Sequence, residues 1–242
     1  MTPDDAQTEL MARLRRVCKQ ASPEQIESEL RHLGRAPVPQ PAQELCEEFL
    51  INVLKNQGTI DCAANRSEAV KSIANYLHEN FRSRKLVAGN DPRLAAMPWR
   101  DGRVLPRFGA AEQDYANTQT AASLSYARLG VAETGSIVTF TGKSNPAANN
   151  FLVESHIVLL DVTDLVANFE EAWNRISATF DDEGRPRGIN FISGPSSTAD
   201  IEAQLVAGAH GPRDWHVILM GEVPNAAQDN ARSYVETCLN KL

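Results

Sequence analysis

From residue 42 onward, amphipathic and wholly apolar segments alternate along the chain. "AQELCEEFLINVLKNQG" (42–58) repeats its apolar positions at helical spacing and closes on Gly58, and "TIDCA" (59–63) follows as a short strand. "RSEAVKSIANYLHENF" (66–81) predicts a second helix and "KLVAG" (85–89) a second strand. "ASLSYARLGVAETGSIVTFTG" (122–142) reads as strand–loop–strand. "HIVLLD" (156–161), "GINFIS" (188–193) and "WHVILM" (215–220) read as strands, and "TDLVANFEEAWNRISATF" (163–180) as a helix. "TADIEAQLVAG" (198–208) and "AQDNARSYVETCLNKL" (227–242) also read as helices. The segment from 90 to 120 is too irregular to assign. Unbroken apolar runs such as "IVLLD" and "HVILM", separated by helices, predict a mostly parallel sheet with helices on both faces.

Ahead of this α/β region, Leu10, Leu14 and Val17 recur at helical spacing. Ser22-Pro23-Glu24-Gln25 is an N-cap with proline at the first helical position and a capping-box partner. Gly34 stops this second helix, and "APVPQPAQ" (36–43) reads as a stiff extended linker. The expected organisation is an N-terminal helical arm with its proline-rich linker (1–41) and an α/β domain with a C-terminal helix (42–242).

Charge and cysteine usage narrow the function classes. The 242 residues carry a net charge of −7, which speaks against a nucleic-acid or anionic-membrane surface. No apolar stretch approaches the ~18 residues of a membrane span, and the acidic start "MTPDDAQTEL" is unlike a signal peptide, so a cytoplasmic protein is expected. Cys18, Cys46, Cys62 and Cys238 are scattered without a C-x-x-C pair, which argues against iron–sulfur and structural zinc sites. No metal and no cofactor is predicted. The phosphate-binding patterns G-x-G-x-x-G and G-x-x-x-x-G-K-[ST] and the nucleophile elbow G-x-S-x-G are all missing from the sequence.

Open α/β sheets bind ligands beyond the carboxyl ends of their strands, which directs attention to the junctions after Phe140, after Ser193 and around Leu129 to Ser136. In "FISGPSSTADIE" (191–202), a Gly-Pro break places Ser196, Ser197 and Thr198 before the expected helix. They suit an anion at a helix N-terminus, and equally a capping box closed by Asp200; capping is the commoner use. Glu133, in the Glu-Thr-Gly-Ser turn with Thr134, Gly135 and Ser136, is a candidate nucleophile or base as well as an ordinary turn residue. His156 and His210 fall at strand ends or turns, where an imidazole serves as a proton or ligand partner or bonds to backbone.

"GVAETGSIVTF", "ESHIVLLDVTDLV" and "FISGPSSTADIEAQLVAGAHGPRDWHVILM" together resemble the LUD-domain family, in particular its lactate-utilisation protein C group. The likeness covers roughly residues 44 to 221. It implies a fold like the NagB/RpiA/CoA-transferase superfamily and a place in a cytoplasmic system that oxidises L-lactate to pyruvate. It further implies companion iron–sulfur lactate-utilisation proteins as partners, this chain being the member without clusters, an accessory subunit that binds a small anionic ligand or a partner. In CoA-transferase relatives a glutamate in a Glu-x-Gly setting attacks acyl-CoA, and Glu133 looks similar. The alternatives are therefore a covalent acyl- or CoA-transferring enzyme and a pure interaction module. The expected ligand position is between the Glu133–Ser136 turn and the Ser196–Thr198 segment.

Overall fold

The computed structural model describes residues 3–17, 21–33, 44–111, 121–201, 204–208 and 210–238. It divides into two compact units at residues 38 and 39. The first unit contains α1 (Pro3–Val17) and α2 (Pro23–His32). The capping box at α2 forms as the sequence predicts: Ser22 Oγ accepts from the Gln25 N–H, and the Gln25 side chain accepts from the Ser22 N–H at 2.9 Å. The proline-rich segment 36–43 lies outside the described residues.

The second unit is an α/β fold. Its helices are α3 (Leu45–Lys55), α4 (Arg66–Phe81), α5 (Pro92–Ala95), α6 (Ala148–Phe151), α7 (Phe169–Ala178), α8 (Phe180–Glu183) and α9 (Asn225–Cys238). Its strands are β1 (Thr59–Ala63), β2 (Lys85–Ala88), β3 (Leu105–Phe108), β4 (Ala122–Tyr126), β5 (Leu129–Val131) and β6 (Ser136–Thr141). They continue with β7 (Ser155–Asp161), β8 (Leu165–Val166), β9 (Gly188–Ile192), β10 (Ser197–Ile201), β11 (Gln204–Ala207) and β12 (Asp214–Met220). Six strands in the order β1-β12-β7-β4-β2-β3 form a sheet in which every pairing is parallel.

Central strands β7 and β12 are buried along nearly their whole length, as strands covered on both faces must be. Alternate residues along each strand serve different faces. Ile157, Leu159 and Ile218 pack with the α4 stripe Ala69, Val70, Ile73, Ala74 and Leu77. Val158, Leu160, Val217 and Leu219 pack with Phe49, Leu50 and Val53 of α3. The start of α4 is fixed by Asn65, whose side chain accepts from the Glu68 N–H at 3.0 Å while Glu68 reaches back to the Ala64 N–H at 2.9 Å. Within the segment left unassigned from sequence, β3 carries Pro106 and forms the sheet edge, where a missing ladder donor is tolerated.

A second sheet, β8-β5-β6-β9, is mixed: β5–β6 and β6–β9 are antiparallel. The strands read from "SIVTF" and "GINFI" belong here, not to the parallel sheet. One face of this sheet joins the α3 core through Ile137 and Leu165; the other carries Val131 and Val138 against Ala172 and Ile176 of α7. Gly130 lets the two sheets approach, since a Cβ there would stand 2.4 Å from Leu160 Cδ2.

Two predicted elements are corrected: the helix expected over 163–180 begins only at Phe169, after Leu165–Val166 has formed β8, and the helix expected over 198–208 is replaced. The described residues of the expected 198–208 helix are strands instead: β10 and β11 pair antiparallel with Ser197 opposite Ala207. The Gly208 N–H donates to the Ser196 carbonyl at 2.7 Å, and the Ser196 N–H to the Pro212 carbonyl at 2.8 Å. These non-local bonds satisfy the backbone as a strand pair, so local helical spacing loses.

Candidate ligand-binding site

The Glu133–Ser136 turn is built against the end of α3. Residues Ala132–Thr134 make a short 3-10 turn, and Gly135 follows in the left-handed region at φ 64. Asn52 Nδ2 donates to the Ala132 and Glu133 carbonyls at 2.8 and 3.1 Å, and Asn56 Nδ2 to the Thr134 carbonyl at 2.7 Å. A Cβ on Gly135 would lie 2.5 Å from the α3 backbone, so both conformation and space demand glycine. Ser193 closes the row: its hydroxyl bonds Ser136 Oγ, which lies 2.7 Å from Thr134 Oγ1. The β6–β9 register, with Ile137 opposite Ile192, accounts for this meeting.

The other sequence-predicted residues are placed differently. Ser197 and Thr198 sit in β10, so no helix N-terminus stands behind Ser196, Ser197 and Thr198 to attract an anion. His210 is exposed in the turn before β12. His156 is an interior residue, 1% exposed, with Nε2 3.0 Å from Ser125 Oγ. The Ser125 hydroxyl donates to Asn145 Oδ1 at 3.0 Å and therefore accepts from the imidazole, which is neutral. Burial pushes its pKa down to about 4.

Glu133 lines a cavity of about 650 Å3 with Glu44, Glu47, Glu48, Asn52 and Lys55. Four carboxylates against one amine suit no anion. Nor do the described thiols offer a nucleophile: burial raises Cys46, and burial followed by the Asp61 charge raises Cys62 to about 11.

The cationic cavity lies elsewhere, beyond the carboxyl ends of parallel strands β4 and β7. Arg93, Arg128 and Arg175 line about 420 Å3 together with Leu129, Phe140 and Ile176. Asp91 caps α5 through the Arg93 N–H at 2.8 Å. Its carboxylate also takes the Arg93 guanidinium bidentately, Nε at 3.1 Å and Nη2 at 2.8 Å. That guanidinium lies 3.8 Å above the centre of the Tyr126 ring, whose hydroxyl donates to Asp161 Oδ2 at 2.6 Å. Arg128 covers the Phe140 ring at 4.8 Å and pairs with Glu183; Arg175 pairs with Glu171 at 3.0 Å. Asp164 completes the wall, its carboxyl raised first by burial and then by Asp161. Three guanidinium groups thus stand over an apolar floor, two of them stacked on rings and each held by a carboxylate.

Sequence reasoning passed over these arginines. The signal for two of them lay in the strand-end rule itself, applied to "GNDPR" after β2 and "YAR" at the end of β4.

A model of the LUD domain matches residues 109–220. Lactate utilization protein C of Geobacillus sp. (strain WCH70) is 34% identical over 192 residues, 70% of this chain and 77% of that protein. Lactate utilization protein C of Exiguobacterium sp. (strain ATCC BAA-1283 / AT1b) is 25% identical over 208 residues, 82% and 90% of the two chains. A crystal structure of a DUF162 family protein from Deinococcus radiodurans shares the fold with a TM-score of 0.54 at 23% identity, covering 76% of this chain and all of that one. The family-model match and these sequence relatives establish that the chain belongs to the LUD-domain family, in its lactate utilization protein C group.

Proposed function

We propose that this chain serves lactate utilisation, as the names of its relatives say of them, by holding a small 2-hydroxy or 2-oxo carboxylate in the arginine cavity. It would do so as a subunit without iron–sulfur clusters, alongside cluster-bearing partners in the cytoplasm. The observation that carries the reading is Arg93, locked by Asp91 and stacked on Tyr126 at the carboxyl rim of the parallel sheet. In this reading Arg93 takes the substrate carboxylate, and Arg128 and Arg175 set the positive field. Leu129, Phe140 and Ile176 hold the short carbon chain. Titration calorimetry with L-lactate and pyruvate tests it. Saturable binding is expected, weakened at least tenfold by Arg93→Ala, about 1.4 kcal/mol. Binding of neither acid, or equal binding by the variant, rejects it.

A second reading rests on Glu133, whose Oε2 is buried without a hydrogen-bond partner at the edge of the acidic cavity. There the carboxylate would attack an acyl-CoA thioester, forming an acyl-glutamyl anhydride as the C–S bond breaks and CoA thiolate leaves. Hydroxylamine trapping followed by peptide mass spectrometry decides it: a hydroxamate at Glu133 supports the step, and unmodified Glu133 with every acyl donor rejects it. Glu44, Glu47 and Glu48 would repel CoA phosphates, which ranks this reading second.

A further inference from the structure

At the opposite, amino-terminal rim, where β1 and β12 begin, lies a separate cavity of about 430 Å3. His216 forms part of its wall, 3% exposed, with its ring stacked on Tyr76 at 4.2 Å and 18°. Register explains the placement: His216 of β12 stands opposite Thr59 of β1, and Asp61 lies two residues further on the same face. His216 Nδ1 is 2.8 Å from Thr59 Oγ1. Nε2, by contrast, is buried with no hydrogen-bond partner; Asp61 Oδ2 stands 3.6 Å away, beyond bonding reach. The Tyr76 hydroxyl is already engaged with Ser155 Oγ at 2.8 Å.

The charged residues of the cavity wall are acidic, with Arg213 and Arg232 acting on them from outside it. Asp61, Glu79 and Asp214 line the cavity, and no lysine or arginine does so among the described residues. Asp214 is raised first by burial and then by Glu154, against an opposing pull from Arg213. Asp61 is the better-held acid: burial alone would raise it, but His216 and the Ser72 hydroxyl bring it below the usual carboxylate value. Among the described residues no three His, Cys, Asp or Glu side chains converge as ligands for a metal ion.

We propose that this cavity binds a small organic primary ammonium compound, its N–H groups shared between His216 Nε2 and the carboxylates of Asp61 and Asp214. In the ligand-bound state the imidazole proton sits on Nδ1 and is donated to Thr59 Oγ1, so that Nε2 turns a lone pair, in place of the N–H that faces Asp61 otherwise, to the ammonium. A nitrogen about 2.9 Å from both Nε2 and Asp61 Oδ2 would give Nε2 a partner and add a second donor to Asp61 Oδ2, which already accepts from Ser72 Oγ. The amides of Gln57, Asn75 and Asn80 offer donors and acceptors to a polar tail. Asp61, with its side chain 47% exposed, is the jaw that can adjust to the ligand.

The experiment is calorimetric titration of the full chain with putrescine and ethanolamine, using tetramethylammonium as a cation that lacks N–H. Saturable one-site binding of at least one amine is expected, with tetramethylammonium at least tenfold weaker. Asp61→Asn and Asp214→Asn should each weaken the amine at least tenfold at unchanged circular dichroism. His216→Phe should abolish binding; because His216 is buried, the two exposed-site variants carry the test if that one fails to fold. L-Lactate binding at the opposite rim should be the same in Asp61→Asn as in the unsubstituted chain. Absence of saturable amine binding overturns the proposal, as does binding that tetramethylammonium matches or that both carboxylate variants leave unchanged.

Discussion

At the scale of single residues, His156 makes the fold sensitive to acid. Its folded pKa of about 4 lies below the ordinary value of 6.5, so between these pH values the unfolded chain binds a proton that the folded chain refuses. Stability is therefore complete above about pH 6.5 and declines as pH falls towards 4, by on the order of 3 kcal/mol from this group. Urea denaturation of the chain and of His156→Gln at pH 7 and pH 4.5 checks this: the variant should show a clearly smaller loss between the two pH values. Gly135 makes a second residue-scale prediction. Alanine there meets both a left-handed φ and the α3 backbone at 2.5 Å, and a loss of about 2–4 kcal/mol is expected in the same measurement.

Between elements, stability resides in contacts that tie α3 to both sheets. Asn52 and Asn56 link α3 to the turn that joins β5 and β6, and Phe49, Leu50 and Val53 cover the parallel sheet. Asn52→Ala strips the Glu133 carbonyl of its donor and leaves Ala132 with only the Gly135 N–H, and should cost about 1–3 kcal/mol in denaturant unfolding. Gly130→Ala presses on Leu160, Leu165 and Phe49 together and should cost about 1–3 kcal/mol by overpacking; Leu160→Ala in the same chain should recover part of it. Full additivity of the two substitutions would contradict the packing of β5 on β7.

For the whole molecule, the second unit carries all four hydrophobic cores among the described residues. A chain beginning at residue 39 should accordingly unfold in one cooperative calorimetric transition and retain carboxylate binding; a broad, non-cooperative melt would show that its core is incomplete. Its parallel sheet offers two rims of unlike character, the carboxyl rim lined by arginines and the amino rim by carboxylates around His216. That separation follows from all six strands running in one direction, which places every strand end of one kind on one side.

Local chemistry was enough for the parts of the fold that local chemistry controls. The capping box at Ser22, the buried stripe of α4 and the apolar runs of β7 and β12 follow from side-chain periodicity and backbone donors a few residues apart, and all were legible in the chain. Tertiary structure decided the rest. The 198–208 segment carries helical spacing, yet its described residues in β10 and β11 pair as strands, because their backbone partners lie on the facing strand and at Ser196. Strands β6 and β9 left the parallel sheet for a mixed one, since direction and partner are set by the connection and not by apolar content. Arg93, Arg128 and Arg175 meet only because β2, β4 and the α7 segment end at one rim; His216 meets Asp61 only through the pairing of β12 with β1. Pattern along a chain encodes which groups are buried and how the backbone is satisfied nearby, whereas convergence of distant charges depends on strand order and register, which no single segment contains.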